Sequence, residues 1–291
     1  MVILGKSSRF NADFVSPLFD PKYFSVYRVV LNLNEKSFLL SIFNTNGEII
    51  LIKTFLNLNQ YEISDFLGKI CFEDELLKNK FASWEIILNT KKWMLVPSEF
   101  LPDGSEVKYL EQLYRVNSNE ECLRNMIKPL SLNVIYCVDS ELLKKAQYYF
   151  PQVDFRHTIA NSILHYYKSA TYQPTGYFAS IEFYDDNFNY VVFNSGKLIY
   201  ANHLQFHTPD DFLYNIILIN NALAINEKNL EIILTGINSQ FNELKNIIQE
   251  HYPLHREIPN IYAPQIALEQ QGFKLFQYAP MIFNYLDHNK K

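Results

Sequence analysis

Several polar side chains near the end of one apolar run have the types and spacing of a metal site. His203, Gln205 and His207 alternate toward one face of a predicted strand, and Asp210 and Asp211 follow within one helical turn. Two imidazoles and one carboxylate are a known ligand set for transition metals. Histidines near a strand end more commonly make ordinary hydrogen bonds, so this pattern favours a structural role and we assign no metal.

The three cysteines have the pattern of structural thiols. Cys71, Cys122 and Cys137 are odd in number, lack C-x-x-C spacing and lie among apolar residues. A reactive or metal-binding thiol needs an electropositive, accessible setting, which these segments lack. The cysteine usage is typical of the reducing cytoplasm, which is the predicted location.

Glycine spacing excludes several common catalytic and nucleotide-binding motifs. The chain has eight glycines, and the nearest pair, Gly176 and Gly196, is twenty positions apart. The dinucleotide fingerprint, the P-loop and the serine-hydrolase elbow each need two glycines within about six residues. All three motifs are therefore absent.

Charge and hydropathy exclude two classes of ligand. The net charge is −5, with both signs interspersed, so no basic field is present to bind nucleic acid. No apolar run approaches the roughly 18 residues of a membrane span, and the N-terminus lacks the pattern of a signal peptide. We expect neither a nucleic-acid partner nor a membrane span.

The first half of the chain has the pattern of a three-stranded meander and a helix. Three apolar runs are separated by turn residues, and Asn46-Gly47 is a strong hairpin signal. Ile63, Phe66, Leu67 and Ile70 then predict one face of a helix. The predicted strands cover 26–33, 37–43, 48–56, 84–88, 93–96 and 133–138. Ser140 is predicted to cap a further helix, and another is predicted over 155–167.

The same order of elements returns in the second half. Strands are predicted over 177–184, 188–193 and 197–206, and a fourth over 230–234. Between them, Thr208, Pro209, Asp210 and Asp211 have the signature of a helix N-terminus. A second helix is predicted over 239–251. Each half is thus β-β-β-α-β-α, an α/β pattern that predicts two mixed five-stranded sheets.

This duplication predicts two domains. The first covers 1–150 and has an insertion near 97–129, and the second covers 177–279. Residues 151–176 are predicted to form a helical bridge, with 171–176 as the linker, and 280–291 a C-terminal helix.

The duplicated unit resembles the ribonuclease-H-like plan of the actin, sugar-kinase and DnaK-type chaperone superfamily, over roughly residues 25–285. The 29–55 meander, the 93–97 stretch and the strand end at 232–236 are similar to an uncharacterised bacterial domain-of-unknown-function family with an actin-like ATPase fold. The resemblance implies this fold, in which ATP lies between the two halves of working members. It implies no particular activity.

In those members, the first hairpin turn of each half carries an Asp-x-Gly-type phosphate loop, and a late strand ends in Gly-Gly beneath the adenosine. The corresponding positions here would contact a nucleotide if one binds: Asn34, Lys36, Asp185, Asp186, Thr235 and Gly236. Neither phosphate loop contains glycine, which lets backbone N–H groups approach phosphate. Leu33, Phe183 and Tyr184 are instead expected to fill the space that phosphates need. Asp185 and Asp186 also suit an ordinary hairpin turn. Lys36 likewise suits an ordinary lysine exposed to solvent in a turn.

Two hypotheses for the function follow. The missing glycines favour a non-catalytic protein-interaction or scaffold protein that has a degenerate nucleotide site and no cofactor. Its contact surface is expected around the cleft between the halves or on residues 97–129, where Tyr109, Leu113 and Tyr114 have helical spacing. Packing of that helix onto its own domain is the competing interpretation. The alternative function is a nucleotide-dependent enzyme or switch with atypical phosphate loops.

Overall fold

The computed structural model describes residues 12–34, 36–171, 176–184, 186–236 and 240–257. The chain divides into two compact units, Met1–Ala160 and Asn161–Lys291. Along the described residues, no helix has the length and apolar character needed to cross a membrane. The helix predicted for 280–291 and most of the predicted linker lie outside the described residues.

The first unit contains two sheets. In chain order its elements are β1 (Phe14–Val15), β2 (Arg28–Leu33), β3 (Ser37–Phe43), β4 (Ile49–Leu56), α1 (Ile63–Glu73), β5 (Ser83–Leu88), β6 (Trp93–Pro97), α2 (Glu106–Leu110), β7 (Glu120–Ile127), β8 (Leu132–Asp139), α3 (Ser140–Tyr149) and β9 (Asp154–His157). The larger sheet has the order β1-β4-β3-β2-β5-β9, and the smaller one β6-β8-β7.

The larger sheet contains the predicted meander. Strands β2, β3 and β4 pair antiparallel, whereas β5 joins β2, and β9 joins β5, in parallel. Gly47 has a φ of 84°, as the tight turn between β3 and β4 requires. Helix α1 buries Phe66, Leu67 and Ile70, which confirms the predicted face.

Three local predictions for the first unit need correction. The helix predicted from Phe155 begins later, because residues 154–157 form β9 and pair with β5. The cap of α3 is Asp139 rather than Ser140, and its side chain accepts hydrogen bonds from the N–H groups of Glu141 and Leu142. The strands predicted over 93–96 and 133–138 are present but belong to the smaller sheet, which they form with the unpredicted β7.

The second unit repeats the plan. Helix α4 (Thr158–Thr171) crosses the boundary between the units, and β10 (Tyr177–Phe183), β11 (Asn187–Asn194), β12 (Lys197–Gln205), α5 (Pro209–Ala222), β13 (Leu230–Gly236), α6 (Phe241–His251) and β14 (His255–Glu257) follow. The strand order is β12-β11-β10-β13-β14. The first unit has the same order, β4-β3-β2-β5-β9, once the edge strand β1 is set aside, so the predicted duplication is confirmed.

Alternation along the strands gives the second sheet one strongly apolar face. Phe183, Phe188 and Leu234 pack there against Phe212 of α5 and Leu244 of α6. Helix α5 begins at the predicted N-cap, Thr208. The structure adds a capping box that was not predicted, in which the Thr208 hydroxyl accepts from the Asp211 N–H and the Asp211 carboxylate accepts from the Thr208 N–H.

Candidate functional site

The β2–β3 turn carries two of the residues that the family resemblance assigns to a nucleotide. One of its hydrogen bonds is that of a hairpin, because the Asn34 N–H donates to the Ser37 carbonyl at 3.1 Å. The Lys36 carbonyl instead accepts from the Asn57 N–H at 2.9 Å, which continues the pairing of β3 with β4. The Lys36 residue is exposed. The Asn34 N–H and the Lys36 carbonyl are therefore both engaged in backbone hydrogen bonds of the sheet.

The β10–β11 turn carries the next two residues. Asp185 lies outside the described residues, but Asp186 is described and exposed. Its carboxylate accepts from the Asn187 side-chain amide at 2.8 Å, and its carbonyl accepts from the Phe206 N–H at 3.1 Å. The Tyr184 N–H donates to the Asn187 carbonyl at 2.8 Å across the segment, which supports its interpretation as a hairpin turn.

Thr235 and Gly236 lie at the carboxyl end of β13. Thr235 is completely buried, and its hydroxyl is 3.5 Å from the Ile181 carbonyl. Gly236 has a φ of 101°, and a Cβ at this position would collide with the carbonyl oxygen of Phe183 and lie 2.6 Å from its nitrogen. The glycine is thus required for the close approach of β10 and β13, whether or not a nucleotide binds.

The expectation that Phe183 fills the phosphate space is wrong. Its side chain is fully buried in the apolar core of the second unit, with ring centroids 5.2 Å from Phe212 and 5.6 Å from Phe241. Alternation turns the neighbouring Tyr184 and Glu182 to the opposite face of the sheet. Tyr184 is also buried.

A row of polar side chains crosses that opposite face. Register pairing places Thr235, Glu182, Asn189 and His203 side by side on four adjacent strands. The Asn189 side-chain amide oxygen, Oδ1, lies 3.0 Å from His203 Nδ1. The Glu182 Oε2 accepts from the Ser162 hydroxyl of α4 at 2.5 Å. This row was not predicted from sequence, because it depends on the pairing of four strands.

The carboxyl group in this row is removed from solvent. Burial raises the pKa of Glu182, and hydrogen bonds from Ser162, Tyr184 and Asn189 lower it by less. Burial therefore disfavours the charged carboxylate relative to an exposed glutamate. This works against a role for Glu182 as a ligand for Mg²⁺, which binds charged oxygen donors.

The histidines considered as metal ligands do not converge with a carboxylate. His203 belongs to the polar row. His207 is exposed, and its backbone N–H donates to the Asp211 carboxylate, which also accepts from Thr208 in the capping box. Within the described ranges, no group of three or more potential ligands from histidine, cysteine, aspartate and glutamate is present.

A cavity of about 340 Å³ lies in the first unit, where the two sheets and helices α1 and α3 meet. Leu33 and Leu88, the paired last residues of the parallel strands β2 and β5, form part of its wall. Ligands of open α/β sheets characteristically bind outside the carboxyl ends of such strands. Its apolar lining consists of Leu33, Ile63, Leu88, Cys137, Val138 and Leu142.

The smaller sheet completes the cavity with a fixed polar wall. The Lys92 ammonium group donates to both oxygens of Glu120, at 2.8 and 2.7 Å, and to the Arg115 carbonyl at 2.8 Å. One carboxylate oxygen of Asp139 accepts from the first N–H groups of α3. His157 Nε2 of β9 lies 3.2 Å from the Thr90 nitrogen and 3.0 Å from the Thr90 carbonyl oxygen, and so holds the loop that follows β5. Most of the charge on this wall is already paired.

Of the residues assigned to a nucleotide that the structure describes, none lines this cavity, although Leu33 precedes Asn34 directly. The residues that do line it were missed because their sequence segments carry no motif. Their position depends on the parallel pairing of β2 with β5, which the structure shows and the sequence analysis did not predict, since ligands gather at the carboxyl ends of parallel strands.

In the segment 97–129, the structure supports the competing interpretation, in which the helix packs onto its own unit, over that of an exposed helix face. Helix α2 has only five residues. Tyr109 and Tyr114 pack against an apolar cluster of the same unit that includes Leu110 and Ile135, and the Tyr114 hydroxyl donates to the Trp93 carbonyl at 3.1 Å. Leu113 alone is largely exposed.

Comparison with known proteins places the chain in a family. The model of a family described as "Protein of unknown function (DUF3822)" matches residues 17–254. The chain belongs to this family. Among curated proteins, no match to this DUF3822 chain is found.

Solved structures show the fold of this DUF3822 protein. A protein of Bacteroides thetaiotaomicron VPI-5482 with an actin-like ATPase fold and unknown function has a TM-score of 0.77 at 17% identity, over 86% of this chain and 98% of the other. A chain of a PilM–PilN type IV pilus biogenesis complex has a TM-score of 0.58 at 10% identity, over 91% and 97%. The chain therefore has the actin-like ATPase fold, which by itself implies no activity.

Proposed function

We propose that this DUF3822 protein is a non-catalytic protein-interaction module with a degenerate nucleotide site, and that its binding site is the cavity of the first unit. The observation that carries the proposal is the cavity itself: apolar walls, a fixed polar wall and a position at the carboxyl ends of β2 and β5. Its volume is at the lower end of the roughly 300–1,000 Å³ of ligand pockets, enough for a few side chains of a partner segment.

The nucleotide positions support the absence of catalysis. The Asn34 N–H is engaged in the hydrogen bond that closes the β2–β3 hairpin, and the Glu182 carboxyl is buried and held by Ser162. Gly236 is explained by its contact with the Phe183 backbone. The structural likeness to a chain of a PilM–PilN complex, a protein assembly by its description, is consistent with protein binding as the use of this fold.

The test for a partner uses one tryptophan placed in the cavity and another placed away from it. Asn89 lines the cavity and is partly exposed, so Asn89→Trp should obstruct the cavity without entering the core. Asn46 lies exposed in the β3–β4 turn, so Asn46→Trp is the matched control. Each protein, checked for folding by circular dichroism, is used for affinity purification from the source cell. We expect a protein that is retained by wild type and Asn46→Trp and lost with Asn89→Trp.

A thermal-shift titration with Mg-ATP tests the absence of nucleotide chemistry. A ligand at 100 times its Kd should stabilise the fold by about 2.7 kcal/mol. We expect no stabilisation at millimolar Mg-ATP. A Mg-dependent shift at micromolar concentration would contradict the proposal and support the enzyme alternative, and equal retention of the partner by Asn89→Trp would exclude the cavity.

A further inference from the structure

Two of the three cysteines meet across the smaller sheet. Strand register pairs Cys122 of β7 with Cys137 of β8, and their thiols are in contact, with the sulfur atoms 3.3 Å apart. The Cys137 N–H donates toward β6, to the Lys92 carbonyl at 3.0 Å, so the cysteines are a non-hydrogen-bonded pair of the β7–β8 ladder. The Cα atoms of such pairs are about 4.5 Å apart, within the roughly 4.4–6.8 Å that a disulfide spans. The backbone is therefore already placed for a bond between these sulfurs.

This thiol pair belongs to the polar wall of the cavity. Cys137 lines the cavity together with Lys92, Glu120 and Asp139. Glu120 precedes Cys122 by two positions on β7, so both side chains lie on the same face of the smaller sheet. The Glu120 carboxylate accepts from the Lys92 ammonium group at 2.7 Å. The two thiols thus lie beside the ion pair that fixes this wall.

The two thiols have different surroundings. Cys137 is only 3% exposed, whereas Cys122 is partly exposed. Burial raises the pKa of both thiols, that of Cys137 to about 12, but the hydrogen bond from Cys137 lowers the pKa of Cys122. Glu120 raises the pKa of both. Cys122 is therefore the thiol better able to attack, with Cys137 behind it, and both react slowly because little thiolate is present.

We propose that Cys122 and Cys137 are a redox modification site of the cavity wall, at which exchange with a small-molecule disulfide such as glutathione disulfide forms an intramolecular disulfide that fixes β7 to β8. Disulfides of reducing compartments are usually transient and redox-sensing. The chemistry of the pair is independent of the proposed function, whereas its effect on partner binding rests on that function.

The reaction has two exchange steps. The Cys122 thiol loses its proton to solvent, and the thiolate attacks one sulfur of the small disulfide, whose S–S bond breaks; one small thiolate leaves and takes up a proton. The Cys137 thiol then loses its proton and attacks the Cys122 sulfur of the mixed disulfide, which expels the second small thiolate. The cysteine pair is oxidised by two electrons, and the small disulfide is reduced to two thiols.

The bond acts on the wall through β7. This strand lies at one edge of the smaller sheet, and the ends of an edge strand open locally at a low cost in free energy. Such an opening separates Glu120 from Lys92. A covalent link at the adjacent residue pair, Cys122 with Cys137, prevents it. The oxidised wall is therefore more rigid, and a rigid site loses less entropy when it binds a partner.

The experiment equilibrates the full-length protein with mixtures of reduced and oxidised glutathione without oxygen. Samples are quenched with acid, free thiols are alkylated, and the cysteine peptides are mapped by mass spectrometry. Cys122→Ala and Cys137→Ala each remove one member of the pair. Cys71→Ala removes the third cysteine, which is buried in α1, and is the matched control. Circular dichroism confirms that each variant is folded, and the mapping of wild type does not depend on any variant.

We expect wild type and Cys71→Ala to form the Cys122–Cys137 disulfide. Cys137→Ala should accumulate a glutathione adduct on Cys122 at least about fivefold faster than Cys122→Ala does on Cys137, because Cys122 is more exposed and more easily ionised. Acetylation of Lys92 by an amine-reactive ester should be about threefold slower in the disulfide form, because the opening of β7 is blocked. Lys228, an exposed lysine of the second unit, should react equally in both forms.

Three results overturn the inference, each at a different step. Glutathione adducts on wild type without the internal disulfide would refute the paired site. Equal trapping in the two single variants would refute Cys122 as the attacking thiol. An internal disulfide that leaves Lys92 acetylation unchanged would refute the effect on the wall. The tryptophan test of the cavity uses reduced protein, so its failure would refute the proposed function and leave the thiol chemistry standing.

Discussion

Replacing Gly236 by alanine tests the close approach of β10 and β13. A Cβ at this position would collide with the Phe183 carbonyl and lie within 2.9 Å of its carbonyl carbon, and the φ of 101° is strained for any L-residue with a side chain. The clash is with backbone rather than with the end of a flexible side chain. Phe183 is also paired with Phe188 of β11, so β10 has little freedom to move.

The expected loss of stability follows from these two terms. An unfavourable backbone conformation costs roughly 1–3 kcal/mol, and forcing extra atoms into a packed site costs roughly 1–3 kcal/mol more. Gly236→Ala should therefore lower the free energy of unfolding by about 2–6 kcal/mol, or the melting temperature by about 4–20 °C. The assay is thermal and urea denaturation followed by circular dichroism.

Gly104→Ala is the matched control, because Gly104 also has a positive φ of 76° but no atom within 4 Å of an added Cβ. It should cost only the backbone term, roughly 1–2 kcal/mol. Equal effects of the two substitutions would refute the argument from close approach. A Gly236→Ala protein of normal stability that had lost Mg-ATP binding would instead show that the glycine serves a nucleotide.

Two further predictions concern buried titratable groups. Because the pKa of Glu182 is raised, the contribution of this group to stability is complete below the ordinary pKa of 4.5 and is lost as the pH rises through the raised pKa. In urea titrations, Glu182→Gln should therefore gain stability relative to wild type from pH 4 to pH 8. A difference that stays constant with pH would contradict the burial of this carboxyl group. Cys122 and Cys137 lie opposite each other on β7 and β8 with their sulfur atoms 3.3 Å apart. The Cys137 N–H donates to the backbone carbonyl of Lys92 and not to β7, so the two cysteines form a non-hydrogen-bonded pair of the antiparallel ladder. Treatment with diamide, which takes up the two thiol hydrogens, should give a Cys122–Cys137 disulfide by peptide mapping, more slowly at low pH because burial raises the pKa of Cys137 to about 12; a product linking Cys71 instead would contradict this pairing.

The sequence alone determined the features that depend on neighbours along the chain. Turn residues such as Asn46-Gly47 and the N-cap at Thr208 act within a few positions, so the two meanders and the start of α5 could be predicted. Repetition of that local pattern was enough to indicate a duplicated α/β fold. The lack of glycine in both hairpin turns is likewise a property of the sequence itself.

Only the tertiary structure decided which distant strands pair and what their pairing brings together. Residues 154–157 fit a helix or a strand by their own pattern, and the parallel contact with β5 selected the strand. Long-range packing in the second unit likewise buried Glu182 beside Ser162, which lies on a helix twenty residues earlier in the chain. In the first unit, long-range pairing assembled the candidate cavity. Its lining includes Leu33, Ser64, Lys91 and Asp139, although more than a hundred positions separate the first from the last. Side-chain periodicity encodes which face is apolar but not which partner covers it, because that choice is made by the free energy of packing the whole unit.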